Sequence, residues 1–256
     1  MKDICFHHHT RDEIAEYAAA GCAAVIPLAA TEQHGPHLPV YTDSLICEYV
    51  VTEAVRRVSE QNPLLMTPVF SVGCSDHHLQ FNGTISFRST TYLGMLTDIA
   101  ESLVRCGFRK LIFVNGHGGN ERIMIQVASD IAVKHPVWTA SASYWTVSGQ
   151  ALQDAYARDV GMVPGHAGGF ETALIMALRS DLLRSDKITD SHTLTPWFNS
   201  GIPGFIGKHG MLTGYDGYTD AANLATEEKG RAYLNAIVTS LSDWLHQVTQ
   251  TMSQGE

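Results

Sequence analysis

Positive charge is scarce in this chain. Over 256 residues, 17 Lys and Arg stand against 26 Asp and Glu, a net charge of −9. No basic block offsets the deficit, so neither nucleic acid nor an anionic membrane is expected as a partner. Long apolar runs are missing too. No stretch of about 18 apolar residues suggests a membrane span, and the opening MKDICFHHHTRDE lacks the apolar core of a secretory leader. The five cysteines (Cys5, Cys22, Cys47, Cys74 and Cys106) are odd in number, scattered and without CxxC spacing. That argues against a disulfide framework or a cysteine-built zinc site, and for reduced thiols in the cytoplasm. Internal repeats, low-complexity tracts and Ser/Gly linkers are also absent. Residues 1–256 are therefore expected to form a single domain.

What is present is a regular alternation of strand and helix signals, the mark of an α/β sheet with helices on its faces. The pattern predicts strands at Ala23–Leu28, Leu64–Val72, Lys110–Asn115 and Val137–Tyr144. Helices are predicted at Thr10–Ala20, with Thr10 and Glu13 as a capping box, and at Asp43–Ser59. Further helices are predicted at Thr91–Cys106 with Gly107 as its stop, from Asn120 as N-cap to Lys134, at Phe170–Arg179 and at Thr226–Met252. The Gly/Pro-rich stretch Ser191–Gly217 reads as irregular.

Thirteen histidines are present, and several sit beside glycines in three segments that adjoin predicted strands. Open α/β sheets bind ligands beyond the carboxyl ends of their strands, where such segments gather. TEQHGPHLPVYTDS (31–44) carries Glu32 and His34, two apart and so on one side of an extended chain. Asp43 follows at the next helix start, and Pro36 and Pro39 stiffen the connection. This donor set suits Zn²⁺, Mn²⁺, Fe²⁺ or Co²⁺. The plainer alternative is that Asp43 only caps a helix.

NGHGGN (115–120) places His117 between a strand and a helix start. Gly118 and Gly119 let a ligand approach the backbone closely. GHAGGFETALIMAL (165–178) sets His166 and Glu171 about another helix start, where Glu171 alone would merely complement the helix dipole. Together the three segments supply the oxygen and nitrogen ligands of a two-cation site, with Asp43 as the natural bridge.

TEQHGPHLPVYTD, VNGHGGN and HAGGFET together resemble the creatininase (creatinine amidohydrolase) family. FNGTISF (81–87) and ATEEKGR (225–231) extend the likeness over most of the chain. The resemblance implies a three-layer α/β/α sandwich with a mostly parallel central sheet, assembled as a homo-oligomer, often a hexamer. It also implies a hydrolase with two divalent metal ions, zinc in the first place and manganese or iron as alternatives. By position, Glu32, Asp43 and His117 hold one ion, and His34 and Asp43 the other. His166 matches the family's proton-shuttling histidine, and Glu171 a neighbouring acid. Creatininase itself has Tyr and a metal-ligating Glu where this chain has Gly118 and Gly119, so Glu171 is expected as the substitute ligand. Met162 stands where creatininase has a lid tryptophan, and Trp145 matches a second one.

The expected activity is hydrolysis of a small cyclic amide or related C–N bond in a small-molecule substrate. His78, Trp145, Gly118 and Gly119 are the expected substrate contacts. Three other activities weigh against it: ring opening of an inosose-like cyclic polyol ketone, deformylation, and peptidase action on a peptide-derived cofactor precursor. The polyol reading draws on His77, His78, Gln80, Tyr144 and Asn115 as hydrogen-bonding groups. A metal-binding protein without turnover is the remaining possibility, opposed by the absence of a closed, cysteine-rich site.

Overall fold

The computed structural model describes residues 3–188 and 216–254. Most of the Ser191–Gly217 segment therefore lies outside the described residues. Four parallel strands form one sheet in the order β2-β1-β3-β4: β1 Ala23–Leu28, β2 Leu64–Met66, β3 Lys110–Asn115 and β4 Trp138–Ser143. The helices are α1 Arg11–Ala19, α2 Thr42–Ser59, α3 Ser89–Arg105, α4 Glu121–Lys134, α5 Tyr144–Val147, α6 Gly149–Asp154, α7 Gly169–Arg179 and α8 Glu227–Gln254.

The sheet separates two apolar layers. Val25, Ile112 and Val114 face α2, α7 and α8, whereas Ile26, Leu28 and Phe113 face α1, α3 and α4. Alternate residues of β1 and β3 thus fill opposite cores, and β1 and the inner residues Leu111–Val114 of β3 are apolar because both faces are covered. This is the three-layer α/β/α arrangement. On one side α7 and α8 approach closely: a side chain at Gly230 would meet the Ala173 carbonyl.

Two local expectations are corrected. The second strand ends at Met66 rather than Val72: Thr67 N–H still donates to the Val25 carbonyl, but Pro27 of β1 has no N–H to continue the ladder toward the second strand. The chain bridges β1 again at Leu28–Phe70. Asn120 does not cap α4 with its side chain. Its amide instead donates to the Ala29 carbonyl and accepts from Cys74 N–H, which ties the exit of β1 to segment 73–75. The Thr10–Glu13 capping box is present as expected. No helix among the described residues is long and apolar enough to cross a membrane.

Candidate metal centre

The three motifs converge beyond the carboxyl ends of β1 and β3. Glu32 follows β1, His117 leaves β3, and Asp43 and Glu171 lie in the first turns of α2 and α7. Glu32, His34, Asp43, His117, His166 and Glu171 are all buried.

Asp43 sits between two imidazoles. Its Oδ1 is 3.0 Å from His34 Nε2 and its Oδ2 is 3.0 Å from His117 Nδ1. Glu171 Oε2 lies 3.6 Å from the same His34 nitrogen. Glu32 Oε1 lies 3.3 Å from His117 Nδ1 and 3.4 Å from His166 Nδ1. One ligand atom each from His34, Asp43 and Glu171 falls within a 4.8 Å span, as do atoms of Glu32, His77 and His117.

The outward nitrogens of both imidazoles are already engaged. His34 Nδ1 is 3.0 Å from the Glu32 carbonyl, and His117 Nε2 is 3.2 Å from the Cys74 carbonyl. A carbonyl can only accept, so each ring gives one N–H outward, and its other nitrogen faces Asp43, where it holds a second proton or offers its lone pair to a cation. Such outer-shell carbonyls orient metal-binding histidines. Glu32 Oε2 and Asp43 Oδ2 are buried without any hydrogen-bond partner. Orphaned carboxylate oxygens beside these ring nitrogens fit divalent cations, since a buried charge without a partner is costly.

Burial disfavours charge on every one of these groups, and the neighbours decide the outcome. At His34, hydrogen-bonded Asp43 and then Glu171 and Glu32 overcome burial and raise the ring to about 10. His117 is held well above the ordinary range by Glu32 and Asp43 against burial. Glu32 is held well below the carboxylate range, chiefly by His117 working against burial. Burial lifts Glu171 to about 8, with Asp43 and Glu32 reinforcing it and His34 opposing. Burial also pushes His166 well down and His78 down to about 3. Without cations, therefore, the centre stores protons where ligands would be needed.

A cavity of about 640 Å³ opens onto the centre, a size that suits a small-molecule ligand. Glu32, Asp43, His117, His166 and Glu171 line its floor, and His78, Trp145 and Met162 contribute to its walls. Gly118 faces open space, whereas Gly119 leaves room for protein: a Cβ there would stand 2.0 Å from the Cys74 carbonyl and 2.6 Å from His117 Nε2. Gln80, Asn115 and Tyr144 do not line the cavity. Asn115 instead donates to the His117 carbonyl and to Ser143 Oγ, which withdraws it from the polyol-binding group. A second groove of about 770 Å³, lined by Phe6, Phe70 and Met95 among others, has no comparable cluster of rings and carboxylates.

Two buried residues carry weight that the motifs do not reveal. Gln33 reaches both His78 and His166. Asp220 accepts from the Gly169 and Met162 N–H groups and from Thr219 Oγ1, and Thr219 Oγ1 in turn accepts from His166 N–H. A Cβ at Gly161 or Gly168 would stand 1.9 or 2.2 Å from Asp220 Oδ1, so the glycines of this loop wrap one carboxylate. Nothing local signals either role, since each depends on partners far along the chain.

The sequence profile of the creatininase family, described as creatinine amidohydrolase, matches residues 7–245. The chain is similar to the mycofactocin precursor peptide peptidase of Mycobacterium tuberculosis, with 29% identity over 90% of this chain and 86% of that protein. It is also similar to the creatinine amidohydrolase of Pseudomonas putida, with 28% identity over 90% of both. A crystal structure of creatinine amidohydrolase superposes with a TM-score of 0.81 at 27% identity, covering 96% of this chain and 98% of that one. Two further creatininase structures, a manganese form and a Zn-Zn form of a mutant, superpose with TM-scores of 0.80 and 0.79 at 25% and 26% identity, over the same shares.

Proposed function

We propose that this chain, which belongs to the creatininase family and is a metal-dependent hydrolase, uses two divalent cations to cleave a small cyclic amide or related C–N bond. The observation that carries the reading is the Asp43 carboxylate, with one oxygen 3.0 Å from His34 and the other 3.0 Å from His117. Glu32, Asp43 and His117 would hold one cation. His34, Asp43 and Glu171 would hold the other, with Glu171 supplying the carboxylate that position 119 has no room for. The nitrogen-and-oxygen donor set suits zinc and also manganese or iron, and solved relatives include manganese and Zn-Zn forms.

Two such cations, when bound, acidify water and polarise a carbonyl. The chain supplies the rest. His166 presents Nδ1 3.4 Å from Glu32 Oε1; there it takes a proton from the attacking water and passes it to the departing nitrogen. Trp145 and Met162 line the cavity and shape its walls. His78 and Gly118 are the nearest substrate contacts. Residues 1–256 act as one domain, assembled as a homo-oligomer.

The test is metal analysis of purified protein, followed by chelation and add-back of Zn²⁺, Mn²⁺ or Fe²⁺ against a panel of lactams, cyclic ureas and formamides. Two equivalents per chain and restored C–N hydrolysis are expected. One equivalent or fewer, or a fully loaded protein that cleaves no member of the panel, refutes the reading.

A further inference from the structure

We propose that Gln33 is the positioning residue of this centre: its side-chain amide and its own carbonyl fix the His78 and His166 rings and leave Nδ1 of His166 as the nitrogen that handles the proton. The inference rests on the reading of His166 as proton carrier.

Gly35 sets the polarity of the amide. A backbone N–H can only donate, and Gly35 N is 2.9 Å from Gln33 Oε1. The oxygen therefore faces Gly35 and the NH₂ group faces the rings. Its two hydrogens meet two ring nitrogens, His78 Nδ1 at 2.8 Å and His166 Nε2 at 2.9 Å. His78 Nδ1 thus accepts, and the proton of that ring sits on Nε2, 3.7 Å from Glu32 Oε1.

His166 Nε2 has a second neighbour of opposite polarity, the Gln33 carbonyl oxygen, also at 2.9 Å. A bare Nε2 accepts from the amide, and a protonated Nε2 donates to the carbonyl. Both forms of the ring are held in one orientation, so it need not turn as a proton comes or goes. Only the second form leaves Nδ1 bare: with its Nε2–H given to the Gln33 carbonyl, the neutral ring takes a proton from water at Nδ1 and returns it to the amide nitrogen released as the C–N bond breaks. The ring ends as it began.

Gln33 has little freedom to do otherwise. It is 5% exposed, and its N–H donates to Thr84 Oγ1 at 3.0 Å. A Cβ at Gly217 would stand 2.2 Å from its Oε1, so a residue remote in sequence is trimmed to seat this amide. The His78 and His166 rings stack with centroids 3.9 Å apart, so a shift in either disturbs the other.

The test uses the zinc-loaded protein with ¹⁵N-labelled histidine rings, assigned through His78→Gln and His166→Gln. Two-bond ¹H–¹⁵N correlations distinguish bare from protonated ring nitrogens. Wild type is expected to show a bare Nδ1 and a protonated Nε2 on His78. Gln33→Ala removes the donor and leaves the carbonyl, so His166 Nε2 moves toward the protonated form. In that variant the His78 and His166 rings lose the amide that fixes their orientation, and kcat on the amide panel falls about 10–100-fold, with KM and zinc content unchanged. Gln33→Glu keeps the acceptor for Gly35 but sets an acceptor before both rings, and His78 Nδ1 becomes protonated. A protonated Nδ1 on wild-type His78, or a His166 Nε2 signal unmoved in both variants, overturns the inference. The wild-type arm needs no variant to fold. Ring states are read without turnover, so a protein with these ring states that hydrolyses nothing fails the proposed function and not this inference.

Discussion

Asp43 Oδ2 and His117 Nδ1 face each other at 3.0 Å, yet the oxygen has no hydrogen-bond donor. The other nitrogen of His117 is spent on the Cys74 carbonyl, so the nitrogen facing Asp43 must hold either a second proton or a cation. A cation takes that place at both ends of Asp43. Asp43→Asn keeps the shape and removes the shared charge. The variant is expected to lose both metals on dialysis, with an affinity loss exceeding the about 10–100-fold typical of an outer-shell partner. Metal analysis decides, and retention of two equivalents would refute a bridging role.

His166 differs from the ligand groups in that its Nδ1 faces Glu32 while its Nε2 is held by Gln33. His166→Ala should keep both cations and lower kcat by roughly 10²–10⁴-fold, the usual contribution of a positioned acid–base group. Metal content and steady-state rates are measured on one preparation, and undiminished turnover removes His166 from the mechanism.

Metal binding should release protons at pH 7. His34 is raised to about 10, Glu171 to about 8, and His117 lies well above its ordinary range, so the metal-free centre is protonated there. Cations displace those protons. Titration calorimetry in two buffers of different ionisation enthalpy reads the number released, and identical heats in both would contradict the assignment.

The same shifts fix a slope for the metal-free chain. A raised folded pKa gives stability that is lost as pH rises toward it: for Glu171 between 4.5 and about 8, and for His34 between 6.5 and about 10. The windows overlap from 6.5 to 8, and the depressed His37, His77, His78 and His166 act in the opposite sense until the unfolded imidazoles have lost their protons above 6.5. Stability in chelator, read by thermal melts, should therefore fall as pH rises toward 8, by up to about 1.4 kcal/mol per pH unit for each proton. Saturating zinc should flatten the slope.

Much of this arrangement is legible in the sequence because it is local. β1 is an uninterrupted apolar run and β3 an apolar run, Leu111–Val114, between Lys110 and Asn115, and their limits, Ala23–Leu28 and Lys110–Asn115, follow directly. The six acids and histidines are likewise legible: Glu32, His34, Asp43 and His117 sit on or beside strand-to-helix connections, and His166 and Glu171 flank the start of α7. What stays hidden depends on distant partners. Asn120 looks like a cap, but its amide has better use between Ala29 and Cys74. Gln33 reads as loop polarity until His78 and His166 are folded against it. Asp220 follows a segment with no periodic signal, and its partners Met162 and Gly169 lie more than fifty residues earlier.

Gly119 gives the sharpest test of how the second shell supports the first. Its Cα lies against the Cys74 carbonyl that orients His117, and an added methyl would stand 2.0 Å from that oxygen. The obstacle is backbone, further held by Asn120 through Cys74 N–H, so it cannot swing aside as a flexible side chain would. Gly119→Ala is expected to cost about 1–3 kcal/mol through overpacking and to lower the melting temperature by several degrees. Moving the carbonyl also frees the His117 ring, so the cation beside Glu32 should bind about 10–100-fold more weakly while the cation beside His34 is retained. Gly118→Ala serves as the control, because nothing lies within 4 Å of a Cβ there. If both variants keep two equivalents with wild-type affinity, the Cys74 carbonyl does not orient His117. If Gly119→Ala loses both cations, the two halves of the centre are not independently held.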